Sequence, residues 1–190
     1  MKSDKLETIR KEVLYDAKWL SLKSIMFKDK LGNIKNWETV ERNGSNGAVA
    51  IIATLQPSNK ILLIEQYRIP LGNYVIEFPA GLIEDNLSAE ETAVKELKEE
   101  TGYVGVIKTI IPPSHSSPGL TNESISLAIM SIDEELVENI SPEQELEQSE
   151  DIKVITIKKE ELFEYLKNRT KDGYNIDSKV ISYAIGLTEK

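Results

Sequence analysis

Cysteine is absent from this chain of 190 residues. That excludes disulfide frameworks, thiolate chemistry and nucleophilic-cysteine catalysis, and it is compatible with a reducing compartment. Long apolar runs are missing too: none approaches the roughly 20 residues of a membrane span, and the opening "MKSDKLETIRKEVLYDAKWL" lacks the apolar core of a signal peptide. The expectation is a soluble, cytoplasmic protein. Basic residues are outnumbered, 23 against 32 acids, for a net charge of −9. Such a balance opposes general attraction to nucleic acid or to an anionic membrane, and a polyanionic substrate would need local positive charge. Repeats and low-complexity tracts are lacking as well. What remains is an apolar share of 40% in a length that suits one domain, or one domain with a short appendage.

After a polar lead-in, "WLSLKSIMFKD" and "IKNWETVER" alternate as strands, with "KLGN" as the turn between them. "GAVAIIATLQ" and "KILLIEQYR" flank the turn "PSN" and are more continuously apolar, which predicts deeper burial. "NYVIEFPAG" reads as one short strand. Further strands are predicted at "YVGVIKTII", "ISLAIMSID" and "IKVITIK", and helices at "KEELFEYLKNRT" and "DSKVISYAIGL". The acidic stretch from Asp133 to Asp151 reads as a long exposed loop. Strands early and helices interleaved later indicate mixed α/β layers.

The segment "GLIEDNLSAEETAVKELKEETG", Gly81 to Gly102, contains a helix with well-marked ends. Ser88 followed by Glu91 forms a capping box, and Gly102 is a left-handed terminator. Steps of 100° place Ala89, Ala93 and Leu97 on one stripe and turn Glu91, Lys95 and Lys98 toward solvent. Glu100 falls inside the apolar stripe, Glu96 at its edge and Glu99 beside Glu96, so the three acids converge. Burying a carboxylate without a partner costs several kcal/mol or forces protonation. A divalent cation would offset it, and oxygen ligands without histidine or cysteine favour Mg²⁺ or Mn²⁺ over zinc. The plainer alternative is an acidic helix steadied by pairs such as Glu91 with Lys95.

This segment resembles the signature of the Nudix hydrolases, in Gly81, the pair Lys95 and Glu96, the pair Glu99 and Glu100, and Gly102 followed by Tyr103. The chain departs from the family pattern at Leu87, where a glutamate is usual, and at Lys95, where an arginine is usual. "AKW" ending at Trp19, "NWETVER", "EQYR" running into "EFPAGLI", "SPGLTNE" and "EDIKVITI" are similar to the ADP-ribose and ADP-sugar pyrophosphatase branch. Pro118, fifteen positions after Tyr103, stands where that branch carries a proline.

The resemblance implies an α/β fold, the Nudix α/β/α sandwich with an N-terminal antiparallel β appendage used in dimerisation. Residues 1–43 would form that dimerisation and substrate-clasping region and residues 44–190 the hydrolase domain. The implied activity is Mg²⁺-dependent hydrolysis of ADP-ribose or related ADP-sugars, with Mn²⁺ as a possible substitute, in a homodimer with a shared active site. The carried-over metal ligands are Glu96, Glu99, Glu100 and the carbonyl of Ala80, and the catalytic carboxylates are Glu150 and Glu99, with Glu147 and Asp151 close by in sequence. Trp19 and Trp37 would clasp adenine, one from each subunit, and Glu38 beside Trp37 would read the base edge. Arg42 and Arg68 would hold the diphosphate and the terminal ribose-phosphate portion, and Gly119 would let the loop backbone approach substrate. Glu123 is a candidate support for that loop. His115 is not needed as a base where a carboxylate is available, and Ser114, Ser116 and Ser117 lack a recognisable triad. A UDP-sugar pyrophosphatase and a catalytically silent ADP-ribose-binding module remain as alternatives.

Overall fold

The computed structural model describes residues 6–188; the first five residues of the expected 1–43 region and the last two of 44–190 lie outside the described residues. A three-stranded antiparallel sheet comes first, in spatial order β1 (Glu7–Asp16), β2 (Leu20–Lys28), β3 (Ile34–Arg42). β2 and β3 pair without a slip from Leu20 opposite Arg42 to Lys28 opposite Ile34. Asp29 holds the reversal, its Oδ1 accepting from the backbone N–H of Leu31 and Asn33 at 2.9 and 2.8 Å. The segment read as a polar lead-in is thus in part a strand, β1. It is exposed along its whole length and owes its form to pairing with β2, not to burial, so no apolar run announces it.

The larger, eight-stranded sheet is built from β4 (Ala48–Gln56), β5 (Lys60–Arg68), β6 (Asn73–Glu77), β7 (Ala80–Leu82), β8 (Gly105–Ser114), β9 (Ile125–Asp133), β10 (Ile152–Lys158) and β11 (Asn175–Ile176). Its main path runs β11-β6-β5-β4-β9-β8, with β10 paired to β5 and β7 to β4. β4 lies parallel to β9 from Ala48 opposite Ile125 to Gln56 opposite Asp133. The "NYVIEFPAG" segment is two strands, not one. β6 continues the sheet beside β5, and Phe78 and Pro79 then carry the chain over to β4, where Ile51 N–H donates to the Pro79 carbonyl at 2.8 Å.

Helices cover both faces of this sheet: α1 (Ala89–Thr101) on one, α3 (Leu162–Lys171) and α4 (Ser178–Thr188) on the other. The continuous apolar run of β4 explains the layering. Val49, Ile51, Ala53 and Leu55 pack toward Ala93 and Leu97 of α1, while Ala50 and Ile52 pack toward Leu162, Leu166, Val180 and Ala184 of α3 and α4. Each Leu or Ile buried this way contributes about 1.5–3 kcal/mol. The expected α/β/α layering and antiparallel N-terminal sheet are both present. The Asp133–Asp151 stretch is more ordered than expected. It contains the single turn α2 (Val137–Ile140), and buried Asn139 exchanges hydrogen bonds with the Val104 backbone at 2.7 and 2.9 Å.

The two sheets are joined by the segment holding "SPGLTNE". Thr39 Oγ1 and Val40 N–H both donate to the Leu120 carbonyl at 2.9 Å, and Trp37 Nε1 donates to the Gly119 carbonyl at 3.0 Å. No helix among the described residues is long and apolar enough to cross a membrane.

Candidate active site

α1 is capped as expected. Ser88 Oγ accepts from Glu91 N–H at 3.1 Å, and Glu91 Oε2 accepts from Ser88 N–H at 2.8 Å. Such a cap contributes about 0.5–2 kcal/mol. Glu91 is thereby committed to the cap, and Lys95 pairs instead with Glu84, Glu96 and Glu99 at 3.6, 3.9 and 3.4 Å. At the other end Gly102 takes φ +77°, with Glu143 N and Pro142 C only 2.5 and 2.7 Å from where a Cβ would stand. A side chain there would meet both an unfavourable backbone region and immovable backbone atoms.

That close approach seats the acidic loop on the helix end. Glu145 N–H donates to the Glu99 carbonyl at 2.8 Å. Gln144 Nε2 donates to the carbonyls of Glu100 and Ile152 at 2.6 and 3.1 Å. The loop's own acids then separate by environment. Asp151 Oδ2 accepts from Tyr74 Oη at 2.9 Å, whereas Glu150 Oε2 accepts, among the described residues, a local bond from Glu147 N–H at 2.8 Å, and its charge lies near enough to Glu96 and Glu100 to repel both.

Glu100 is 3% exposed, as its place in the apolar stripe predicts. Burial pushes its carboxyl up to about 8, against the pull of the Ala80 N–H bond at 3.0 Å, with Glu96 and Glu150 adding repulsion. Glu96 is also raised, first by burial, with Lys95 opposing and Glu99, Glu150 and Glu147 adding to the rise. Gly81 is where this cluster meets β7, because a Cβ on it would lie 2.2 Å from Glu96 Oε1. Ala80 occupies a pair next to the hydrogen-bonded one made by Ile51 and Pro79, so its N–H and carbonyl turn away from β4, the N–H to Glu100.

Among the described residues no three acids close into a ready-made metal cage. The chemistry nevertheless fits a hard divalent cation. Buried, mutually repelling carboxylates with raised proton affinities are relieved by such an ion, and one that retains several waters needs only a few protein oxygens.

On the other side of Ala80 and Gly81 lies a cavity of about 330 Å³. Three cations line it, Arg42, Arg68 and Lys179, against two acids, Glu77 and Glu123. Arg68 grips Glu77 with two bonds, Nε to Oε1 at 2.7 Å and Nη2 to Oε2 at 3.0 Å. Burial nevertheless raises Glu77, the arginine opposing that rise. Arg42 Nε donates to Glu123 Oε1 at 2.8 Å. In a chain of net charge −9 these guanidinium and ammonium groups, each held by one acid, are the local donors that an anionic substrate can engage.

Acids that draw in a cation on one side of a strand, and guanidinium groups on the other, define a site for metal-assisted chemistry on phosphate esters or anhydrides. Residues 45–176 match the family described as the NUDIX domain, and the chain belongs to that family. Nudix hydrolases generally use divalent metal ions. An uncharacterized Nudix hydrolase of Schizosaccharomyces pombe is 39% identical over 178 residues, 90% of this chain and 87% of that protein. The ADP-sugar pyrophosphatase of Mus musculus is 33% identical, with 93% and 84% covered, and the ADP-ribose pyrophosphatase of Saccharomyces cerevisiae is 32% identical, with 90% and 78% covered. A crystal structure of an ADP compounds hydrolase has the same fold, with a TM-score of 0.71 at 19% identity over 97% of this chain and 92% of that one.

The remaining predicted site residues divide. Trp19 and Trp37 are 65% and 53% exposed, available for stacking. Glu38 is exposed, but the unbroken pleat of β3 turns it to the face opposite Trp37, so the two cannot read one base edge together within this chain. Gly119 meets nothing within 4 Å of a Cβ position, and its carbonyl is committed to Trp37. His115 Nδ1 lies 3.0 Å from the Glu123 carbonyl. Sequence reasoning missed Glu77, Gln144 and Lys179. The first stands inside a segment singled out for other residues. The other two depend on contacts that no local pattern carries.

Proposed function

We propose that this protein hydrolyses the diphosphate bond of ADP-ribose, and of related ADP-sugars, to AMP and a sugar phosphate. The observation that carries this reading is the pairing of two mutually repelling acids, half-buried Glu96 and buried Glu100, with a cation-lined cavity across Ala80 and Gly81. The pyrophosphatase names of the relatives from mouse and yeast supply the substrate class.

Glu96, Glu100, Glu99 and the Ala80 carbonyl would hold Mg²⁺, with Mn²⁺ as a substitute. When bound, the ion offsets charge on the diphosphate and lowers the proton affinity of an attacking water. Glu150 accepts that water's proton at a carboxylate oxygen, the role for which Asp151, occupied by Tyr74, is less free. Glu99 supports the same cluster. Arg42 and Arg68 exchange part of their bonding to Glu123 and Glu77 for phosphate oxygens, whose geometry their planar donors match.

Trp19 and Trp37 hold the adenine, each stack being worth about 1–3 kcal/mol. Trp37 stands opposite Ile25 on β2, six residues beyond Trp19, so the two backbone positions sit about 20 Å apart. That spacing supports an isologous homodimer in which each subunit lends one ring. Residues 1–43 would make that contact and residues 44–190 the hydrolase domain. Ile9, Val13, Tyr15 and Ile34, all at least 47% exposed on the small sheet, suit burial against a second copy.

Purified protein incubated with ADP-ribose and Mg²⁺ should release AMP and ribose 5-phosphate, resolved by ion-exchange chromatography, and should prefer ADP-ribose to UDP-glucose in parallel. Absence of turnover with either Mg²⁺ or Mn²⁺ would overturn the proposal.

A further inference from the structure

The matched family residues end at 176, yet the cationic cavity has a wall beyond them. Lys179, on the first turn of α4, lines it together with Arg42 and Arg68. The same lysine also lines a second hollow of about 420 Å³. The two lie side by side on one face of the sheet, since Ala50 and Ile125 border the first and Ile52 and Leu127, two residues further along β4 and β9, border the second. Hydroxyls dominate the polar lining of the second hollow, from Ser114, Ser116, Ser178, Ser182 and Tyr183.

We propose that Lys179 and this hydroxyl-lined hollow form the subsite for the phosphate-bearing sugar half of the substrate, making Lys179 a specificity-determining residue outside the family's shared region. The inference rests on the ADP-sugar reading of the site. Arg42 closes β3 and joins it to the loop after Gly119, so it marks the end of the cavity nearest the tryptophan-bearing sheet. Lys179 lies toward α4. A diphosphate spanning the cavity with its nucleoside at the Arg42 end therefore presents its distal phosphate to Lys179. Asp177 Oδ2 holds the ammonium at 2.8 Å, which orients it while leaving two of its three donors for phosphate. A compact ammonium suits a single phosphate oxygen, and serine hydroxyls, each both donor and acceptor, suit the hydroxyls of a sugar.

The test compares wild type, Lys179→Met, Lys179→Arg and Ser182→Leu, the last placing bulk in the hollow from an exposed position on α4. Lys179→Met should raise KM for ADP-ribose roughly 10-fold with kcat within about threefold, and Lys179→Arg should retain most of the wild-type KM. Ser182→Leu should also raise KM. Inhibition by AMP, which carries only the nucleoside half, should be unchanged in all three. An unchanged KM in Lys179→Met, or AMP inhibition weakening in parallel with KM, overturns the subsite. Calorimetric titration of ribose 5-phosphate with Mg²⁺ reads the subsite without turnover: wild type should bind it and Lys179→Met should bind it more weakly. No binding to wild type overturns the subsite. Binding without ADP-ribose turnover would overturn the proposed activity instead.

Discussion

Replacing Glu100 with glutamine should stabilise the metal-free protein at alkaline pH. An unfolded glutamate releases its proton near 4.5, whereas in the fold Glu100 holds it to about 8. Between those values the native state binds the extra proton, so stability falls as pH rises through the window and levels off above it. At about 1.4 kcal/mol per tenfold change in proton affinity, the whole window corresponds to roughly 5 kcal/mol. Relaxation and water entry around the ionised group bring the expected difference between the variants to about 2–5 kcal/mol. Glutamine preserves the packing and can still accept from Ala80 N–H, so the substitution removes the charge and little else. Glu96 and Glu77, also raised, contribute slopes of the same sign in both proteins. Urea unfolding in chelator, followed by circular dichroism from pH 5 to pH 9, should show the wild-type midpoint declining more steeply than that of the variant. Added Mg²⁺ should recover wild type at pH 8 and leave the variant nearly unmoved. Parallel curves would refute the reasoning, as would a variant less stable throughout.

Gly81→Ala should keep the fold, with a melting temperature within a few degrees, because the atoms it meets belong to the movable Glu96 side chain. Turnover of ADP-ribose should fall by about 100-fold as that carboxylate is displaced, and full activity would contradict the site. Gly102→Ala meets backbone at a positive φ, so equilibrium unfolding should show a loss of about 2–4 kcal/mol together with the acidic loop's protection from proteolysis. Trp19→Ala and Trp37→Ala should each raise KM for ADP-ribose by about 5- to 150-fold, a stacking loss. Ribose 5-phosphate binding by calorimetry should be unaffected in both.

Local pattern made the helix legible. Ser88, Glu91 and Gly102 satisfy their backbone partners within four residues, and the burial of Glu100 follows from its angle relative to Ala93 and Leu97. The two-sided burial of β4 was legible for the same reason, since a strand covered on both faces shows an unbroken apolar run. β1 was hidden because an exposed strand defined by its neighbour needs no apolar signature. In the site, arginines and tryptophans stood out as residue types, but their surroundings did not. The bidentate bond of Arg68 to Glu77 depends on β5 and β6 lying side by side, and Gln144 reaches a carbonyl 44 residues away. Glu38 is the converse case: adjacency in sequence suggested cooperation with Trp37, and the pleat places the two on opposite faces of β3 within this chain.

The seating of residues 142–145 on the end of α1 ties two parts of the molecule into one mechanical unit. Because the carbonyls of Glu99 and Glu100 are held by Glu145 and Gln144, an engineer who transplants this acidic segment between homologues must move the helix terminus with it. Length variation belongs only where the segment is untethered, between Glu145 and Glu147. An insertion there would shift the reach of Glu150 while leaving the cation-binding acids in register, a direct route to altering one without disturbing the other.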